Sequence, residues 1–107
     1  MDTDRKSKII LLLSQDPDSG FLLFALAKEY EYESDHQSAI GTYQRLLSKD
    51  PFYTGAYYHL SKQLIAIDKH KAAVETIHKG IDICLQAKAQ HDASELRGLL
   101  EEITDDE

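Results

Sequence analysis

Two Asp-Pro pairs divide this sequence at a regular interval. The first pair is at positions 16–17 and the second at positions 50–51, so equivalent residues lie 34 positions apart. Proline ends or redirects a helix, because it has no backbone N–H and restricts the residue before it. A period of 34 residues is typical of repeats built from two helices joined by a turn.

Apolar residues recur at helical spacing along most of the chain, which predicts an all-α fold. The alternation typical of strands is absent, so no sheet is expected. The first helix should carry a wide apolar stripe of Ile9, Ile10, Leu12 and Leu13. The predicted helices cover 4–13, 20–32, 36–48, 54–67, 69–89 and a last segment that starts near 92.

Polar residues before these segments predict where the helices begin. Asp18 or Ser19 is suited to cap the second helix, and Ser34 opens a capping-box pattern before the third. Asp68 is suited to cap the fifth helix, and Asp92 opens a capping-box pattern before the last.

A glycine inside the fifth predicted helix needs an explanation. Gly80 costs that helix about 1 kcal/mol relative to alanine, and the close approach of a neighbouring helix would account for it. Cys84 lies one turn further along the apolar face. We expect a small core residue there rather than a nucleophile, because that face carries no basic or histidine neighbour.

Charge and composition exclude several classes of function. The formal net charge is −7, and five negative charges lie in the last seven residues. Nucleic-acid binding needs a basic surface and is therefore not expected. No apolar run approaches the roughly 20 residues of a membrane span, so no membrane partner is expected. The N-terminus lacks the apolar segment of a signal peptide, and the chain has a single cysteine, so we expect a cytoplasmic protein.

Residues that often bind metals or catalyse reactions are present without the required spacing. No two of the five histidines are three or four residues apart, so we expect surface imidazoles and no metal site. Glu29, Glu31 and Glu33 are interpreted as a solvated helix end. We therefore predict no catalytic residue, no metal and no cofactor. The histidines are His36, His59, His70, His78 and His91.

The order of these residues resembles the tetratricopeptide repeat (TPR) family. The first unit matches at Leu23, Leu26, Ala27, Tyr30, Ala39, Tyr43 and Pro51. The second unit matches at Tyr57, Leu60, Ser61, Leu64, Ala73 and Ile77. Leu85 stands in place of the family's closing proline, so the fifth helix should be longer than is usual in the family.

The resemblance implies an all-α superhelix of antiparallel helix-turn-helix repeats, with a capping helix at each end, in one TPR-like domain spanning 1–107. The predicted parts are an N-terminal capping helix (4–15), repeat 1 (17–51), repeat 2 (52–89), a C-terminal capping helix (91–104) and an acidic tail (105–107).

In this family the first helix of each repeat lines a concave groove, which implies a set of ligand-binding residues. An aromatic residue and a lysine four positions apart share a helical face, and this pair occurs once in each repeat. Such an aromatic floor edged with positive charge suits an acidic or C-terminal peptide. In the competing interpretation, Phe24 packs under the first helix and the lysines are ordinary solvent-facing residues. The implied groove residues are Phe24, Lys28, Glu31, Tyr58, Lys62 and Ile65.

One branch of the family grips a terminal carboxylate with lysine and asparagine side chains. This sequence contains no asparagine, and Lys28 and Lys62 stand where that branch has amides, so this clamp is not expected. The resemblance implies a non-catalytic scaffold that binds a peptide or protein segment in the groove. One alternative is a module that self-associates as a homodimer, and another is a small helical enzyme or metal-binding protein.

Overall fold

Six α-helices follow one another in the computed structural model, which describes the backbone of residues 2–105 and the side chains of residues 5–104. This part of the chain contains no β-strand, so the prediction of an all-α fold is confirmed. None of its helices has both the length and the apolar character needed to cross a membrane. The helices are α1 (Asp2–Gln15), α2 (Gly20–Tyr32), α3 (His36–Lys49), α4 (Gly55–Ala66), α5 (His70–Ala87) and α6 (Gln90–Asp105).

The lengths of the helices agree with the repeat pattern. Helix α5 has 18 residues and α3 has 14, so the prediction of a long fifth helix is confirmed. The predicted acidic tail, 105–107, begins inside α6 at Asp105, and its last two residues lie outside the described part.

Three helices end at a non-glycine residue in the left-handed conformation. The φ angles are 57° at Ser34, 61° at Asp68 and 59° at Lys88. After Ser34, the amide of Asp35 donates to the carbonyl of Tyr30 at 2.9 Å, the long-range bond of a Schellman motif. Ser34 and Asp68 lie one 34-residue period apart, so this way of ending a helix repeats with the unit.

One of the predicted helix caps is confirmed. The Ser19 side chain accepts a hydrogen bond from the Leu22 amide at 3.2 Å at the start of α2. The predictions for Ser34 and Asp68 are wrong, because each of these residues ends the preceding helix. Asp35 caps α3 instead, one residue later than predicted.

The predicted cap at Asp92 is also wrong. Helix α6 already begins at Gln90, so Asp92 lies in its first turn. Its carboxylate accepts a hydrogen bond from the Thr54 hydroxyl at 2.6 Å, which links the start of α6 to the residue before α4.

Each helix packs on the next one along the chain, and non-sequential contacts join helices two apart. Helix α1 packs on α2, α2 on α3, α3 on α4, α4 on α5, and α5 on α6, while α4 also packs on α6. Helices α2 and α4 meet through side chains, since the Phe24 ring centre lies 5.4 Å from that of His59. The first helices of successive pairs therefore lie together on one side. The buried apolar residues form one cluster from α1 to α5 and a second cluster from α4 to α6. Leu47 and Ile65 pack against both clusters, so the core is continuous.

Small residues are found where the helices approach most closely. Ala39 and Ala73 are fully buried. A Cβ atom on Gly80 would lie 2.7 Å from the Cβ of Tyr57 and 2.8 Å from Cδ1 of Leu96. Helices α4, α5 and α6 therefore converge at Gly80, and the predicted reason for this glycine is confirmed.

The predicted exposure is wrong for Glu29 and for part of the apolar stripe of α1. Glu29 is 7% exposed rather than solvated, because Arg5 of α1 lies over it with its Nε 3.4 Å from the carboxylate. On α1, Ile9 and Leu13 are buried, but Leu12 of the predicted apolar stripe is 49% exposed. Helix α1 covers α2 along one narrow strip, and most of its apolar surface faces outward.

Candidate functional site

Two aromatic side chains of α2 are largely exposed on the same side of the helix. Phe21 is 75% exposed and Tyr32 is 73% exposed. Their separation is roughly three helical turns, so both point in the same direction. Lys28 lies between them, with its Nζ 5.9 Å from the centre of the Tyr32 ring. The groove prediction omitted Phe21 and Tyr32, although their spacing from Lys28 was visible in the sequence.

Phe24, a predicted groove residue, is half-buried among other rings. Its ring centre lies 5.8 Å from Tyr43, 5.4 Å from Tyr53 and 5.4 Å from His59. The ring of Tyr58, another predicted groove residue, lies 5.7 Å from His59. We call these five residues the aromatic cluster. His59 joins the two predicted aromatics, and its predicted surface position is wrong because the side chain is half-buried.

Glu31 is held beside this cluster by three side chains. Its carboxylate accepts a hydrogen bond from the Tyr43 hydroxyl, and lies 3.4 Å from Nδ1 of His59 and 3.9 Å from Nζ of Lys28. Burial alone would raise the pKa of this carboxyl, but the hydrogen bonds with His59 and Tyr43 and the positive charges nearby outweigh burial and lower the pKa. Burial and the bond to Glu31 raise the pKa of Tyr43 far above its usual value. Glu31 thus links α2 to α3 and α4, and its oxygens are already engaged within the protein.

The predicted residues of α4 continue toward α6. Lys62 is exposed, and its Nζ lies 5.4 Å from the centre of the Tyr58 ring. Ile65 is half-buried and lines a cavity of about 220 Å³ beside Lys62. The other lining residues come from α6: Leu99, Glu102 and Ile103. The sequence-based groove prediction considered the two repeats and not the C-terminal capping helix, so it did not include these residues of α6.

These side chains form a surface that we call the first-helix face, since α2, α4 and α6 supply it. Of the six predicted residues, Lys28, Tyr58, Lys62 and Ile65 belong to it. Phe24 and Glu31 lie beside it, in the contact between α2 and α4. The first-helix face comprises Phe21, Lys28, Tyr32, Tyr58, Lys62, Ile65, Leu99, Glu102 and Ile103.

Elsewhere, one exposed group offers three atoms of the kind that bind metals. Ligand atoms of His91, Asp92 and Glu95 lie within 4.8 Å of one another. The group has one histidine, so the spacing of histidines in the sequence does not indicate it. Exposed acidic groups are common without an ion, and Asp92 already accepts a bond from Thr54, so the group alone does not identify a metal site.

The thiol of Cys84 is placed as predicted, inside the core. The residue is 1% exposed, and burial raises the pKa of its thiol. Both effects disfavour the thiolate, which is the form that a nucleophilic cysteine needs.

Solved structures share this fold over most of the chain. A crystal structure of a tetratricopeptide repeat domain protein from Salinibacter ruber is 32% identical, with a TM-score of 0.72, over 76% of this chain and 90% of that chain. The TPR2B domain of yeast Sti1, in complex with pHsp70, is 16% identical, with a TM-score of 0.90, over 99% of this chain and 85% of that chain. The Sgt2 TPR domain from Aspergillus fumigatus is 20% identical, with a TM-score of 0.74, over 97% and 71% of the two chains.

No protein-family model matches the sequence, and no curated protein matches it. The Salinibacter ruber protein, however, is similar in sequence as well as in fold, over nearly all of its own length. The paired helices also carry buried large and small residues at the repeat positions, including Leu23, Ala27, Ala39 and Tyr43. The chain therefore belongs to the tetratricopeptide repeat family.

Proposed function

We propose that this chain is a non-catalytic module that binds an extended segment of another protein along the first-helix face. The observation that carries the proposal is the pairing of an aromatic ring with a lysine on two successive first helices, Tyr32 with Lys28 and Tyr58 with Lys62. Exposed aromatic side chains are enriched among the residues that dominate binding energy at interfaces. The complex of the Sti1 TPR2B domain with pHsp70 supports a protein as the class of partner.

Lys62 favours an acidic residue in the bound segment. Among the described residues Lys62 forms no ion pair, whereas Lys28 lies 3.9 Å from the Glu31 carboxylate, which offsets part of its charge. A ligand carboxylate can therefore pair with Lys62, although Glu102 lines the same cavity and offsets part of the positive charge. Because Lys62 is exposed, this attraction should mainly speed association and should weaken as salt is added.

The cavity next to Lys62 favours a large apolar side chain. Ile65, Leu99 and Ile103 provide an apolar lining, and Glu102 lies at the same site. A ligand carboxylate would be repelled by Glu102, so the cavity disfavours acidic residues. The proposed ligand therefore carries an acidic residue close to a large aliphatic or aromatic residue.

Selection from a library of extended peptides, followed by calorimetry on the selected sequences, tests this proposal. The selected peptides should share an acidic residue near an apolar one, and Tyr32→Ala should weaken their binding by about tenfold or more. Phe52→Ala is the matched control, since Phe52 is 53% exposed but lies outside the first-helix face. Lys62→Glu should slow the association of the acidic peptides. If Tyr32→Ala and Lys62→Glu both bind like the wild type, the first-helix face is not the binding site.

We also propose that the protein is cytoplasmic. Its single cysteine is buried and has no second cysteine with which to form an internal disulfide, as is usual in a reducing compartment.

A further inference from the structure

Helix α1 carries an apolar surface that no other helix of the described part covers. Ile9 and Leu13 point into the core, while the three residues between them are exposed: Ile10 by 46%, Leu11 by 61% and Leu12 by 49%. Successive helix residues point about 100° apart, so Leu12 lies on one flank of the buried strip, Ile10 on the other, and Leu11 faces away from the core. Three exposed large aliphatic residues on one short helix are typical of a surface that another molecule covers.

Two charged residues flank this surface symmetrically. Lys8 lies four residues before Leu12 and Asp16 lies four residues after it, so all three follow one side of the helix. The Asp16 amide donates to the Leu12 carbonyl at 3.0 Å, which continues the last turn of α1 through Asp16. Both charged side chains are exposed, and neither forms an ion pair among the described residues.

We propose that two copies of this chain associate through α1, with the two helices antiparallel and Leu12 next to the two-fold axis. In this arrangement Leu12 of one copy packs on Leu12 of the partner subunit. Lys8 then lies opposite Asp16 of the partner subunit, and Asp16 lies opposite the partner's Lys8. The row formed by Lys8, Leu12 and Asp16 along the helix is thus complementary to itself, as the interface of a symmetric dimer requires.

The alternative arrangements are less favourable. Parallel helices would place the two Lys8 side chains together and the two Asp16 side chains together, which is repulsive. The helix of an unrelated protein would not need charges placed symmetrically about Leu12. Helix α1 supplies no residue of the first-helix face, so the proposed dimer does not depend on the proposed peptide binding.

Sedimentation velocity of the purified full chain over a wide range of concentration tests the dimer. The mass should rise from 12.1 kDa toward twice that value as the concentration increases. Leu12→Glu should weaken association by about tenfold or more, because it places two like charges at the axis. Leu85→Glu is the matched control, since Leu85 is 55% exposed on α5, and it should associate like the wild type.

A charge exchange tests the antiparallel orientation. Lys8→Asp and Asp16→Lys should each weaken association, since each places like charges opposite one another. The double variant Lys8→Asp, Asp16→Lys should restore association toward the wild-type level. All these positions are exposed, so circular dichroism should show an unchanged fold. A wild type that stays monomeric, a Leu12→Glu variant that associates normally, or a double variant no better than the single ones would each overturn the proposal.

Discussion

The Glu31 carboxylate lies 3.4 Å from Nδ1 of His59, and this contact joins the first helix of one repeat to the first helix of the next. The same carboxylate accepts a hydrogen bond from Tyr43 on α3. Three helices therefore meet at one partly buried charge. Burial alone would raise its pKa, but these partners hold the pKa below the ordinary value of 4.5.

This contact should make stability depend on pH. A carboxyl group with a lower pKa in the folded state contributes stability above its unfolded pKa and loses that contribution as the pH falls through the folded value. We therefore expect the free energy of unfolding to decrease below pH 4.5, and to decrease less steeply in Glu31→Gln. Urea unfolding at a series of acidic pH values measures both slopes.

The exposed Glu102 provides the control for that comparison, since Glu102→Gln should keep the wild-type slope. Hydrogen bonding with Ser38 also lowers the pKa of Asp35. Asp35 is present in all three proteins, so the difference in slope reports on Glu31. Equal slopes in the wild type and Glu31→Gln would show that the contact does not stabilise the folded state.

Alanine at Gly80 should be destabilising. The new Cβ would lie 2.7 Å from the Cβ of Tyr57, and the resulting overpacking should lower the free energy of unfolding by about 1–3 kcal/mol. Gly98→Ala on α6 is the control, because no atom lies within 4 Å of its added Cβ. Helix propensity alone should make Gly98→Ala stabilising by about 0.5–1 kcal/mol. Changes of the same sign in the two variants would contradict the close approach of the helices at Gly80.

Leucine at Ala39 should overpack the contact between paired helices. Ala39 is fully buried, so three added carbon atoms should cost about 1–3 kcal/mol of unfolding free energy. Ala87→Leu makes the same change at an exposed position in the last turn of α5 and should melt close to the wild type. A comparison of melting temperatures checks this, and a stable Ala39→Leu variant would mean that the helices do not pack closely at this position.

Glycine at Lys88 should be stabilising. Lys88 ends α5 with a φ of 59°, a conformation that is strained for residues with a Cβ and unstrained for glycine. Lys88→Gly should therefore raise the free energy of unfolding by about 1 kcal/mol. Lys79→Gly, inside the same helix, should instead lower it by about 1 kcal/mol. Chemical denaturation should show these opposite signs, and a destabilised Lys88→Gly variant would contradict the left-handed end of α5.

The positions of the helices could be predicted because they depend on short-range patterns. The apolar spacing and the two Asp-Pro pairs placed α2 at 20–32, which agrees with Gly20–Tyr32. The helix starts were less predictable, because serine and aspartate can cap a helix and can also adopt the left-handed conformation that ends one. Ser34 and Asp68 do the second, and nothing in their local sequence distinguishes the two roles.

Exposure within the site depends on how the helices pack, which the repeat pattern does not specify. Glu29 is buried because Arg5 crosses from α1, and Phe24 is half-buried because α4 brings His59 against it. Phe21 lies three residues before Phe24 on α2 and is 75% exposed, because α4 does not bring a ring against it. The four-residue spacing of Lys28 and Tyr32 was visible in the sequence, but the exposure of the Tyr32 side chain was not.

Helix α4 takes part in both core clusters, through Leu60 and Leu64 on one side and Tyr57 on the other. It can therefore open only when both clusters are disrupted. Of the described side chains of α1, only Ile9 and Leu13 belong to the core, so this helix can detach while the remaining helices stay packed. In a chain of stacked helices, such differences produce a gradient of local opening. In the monomer, the backbone amides of α1 should thus exchange hydrogen with solvent early, and those of α4 only when the whole chain unfolds.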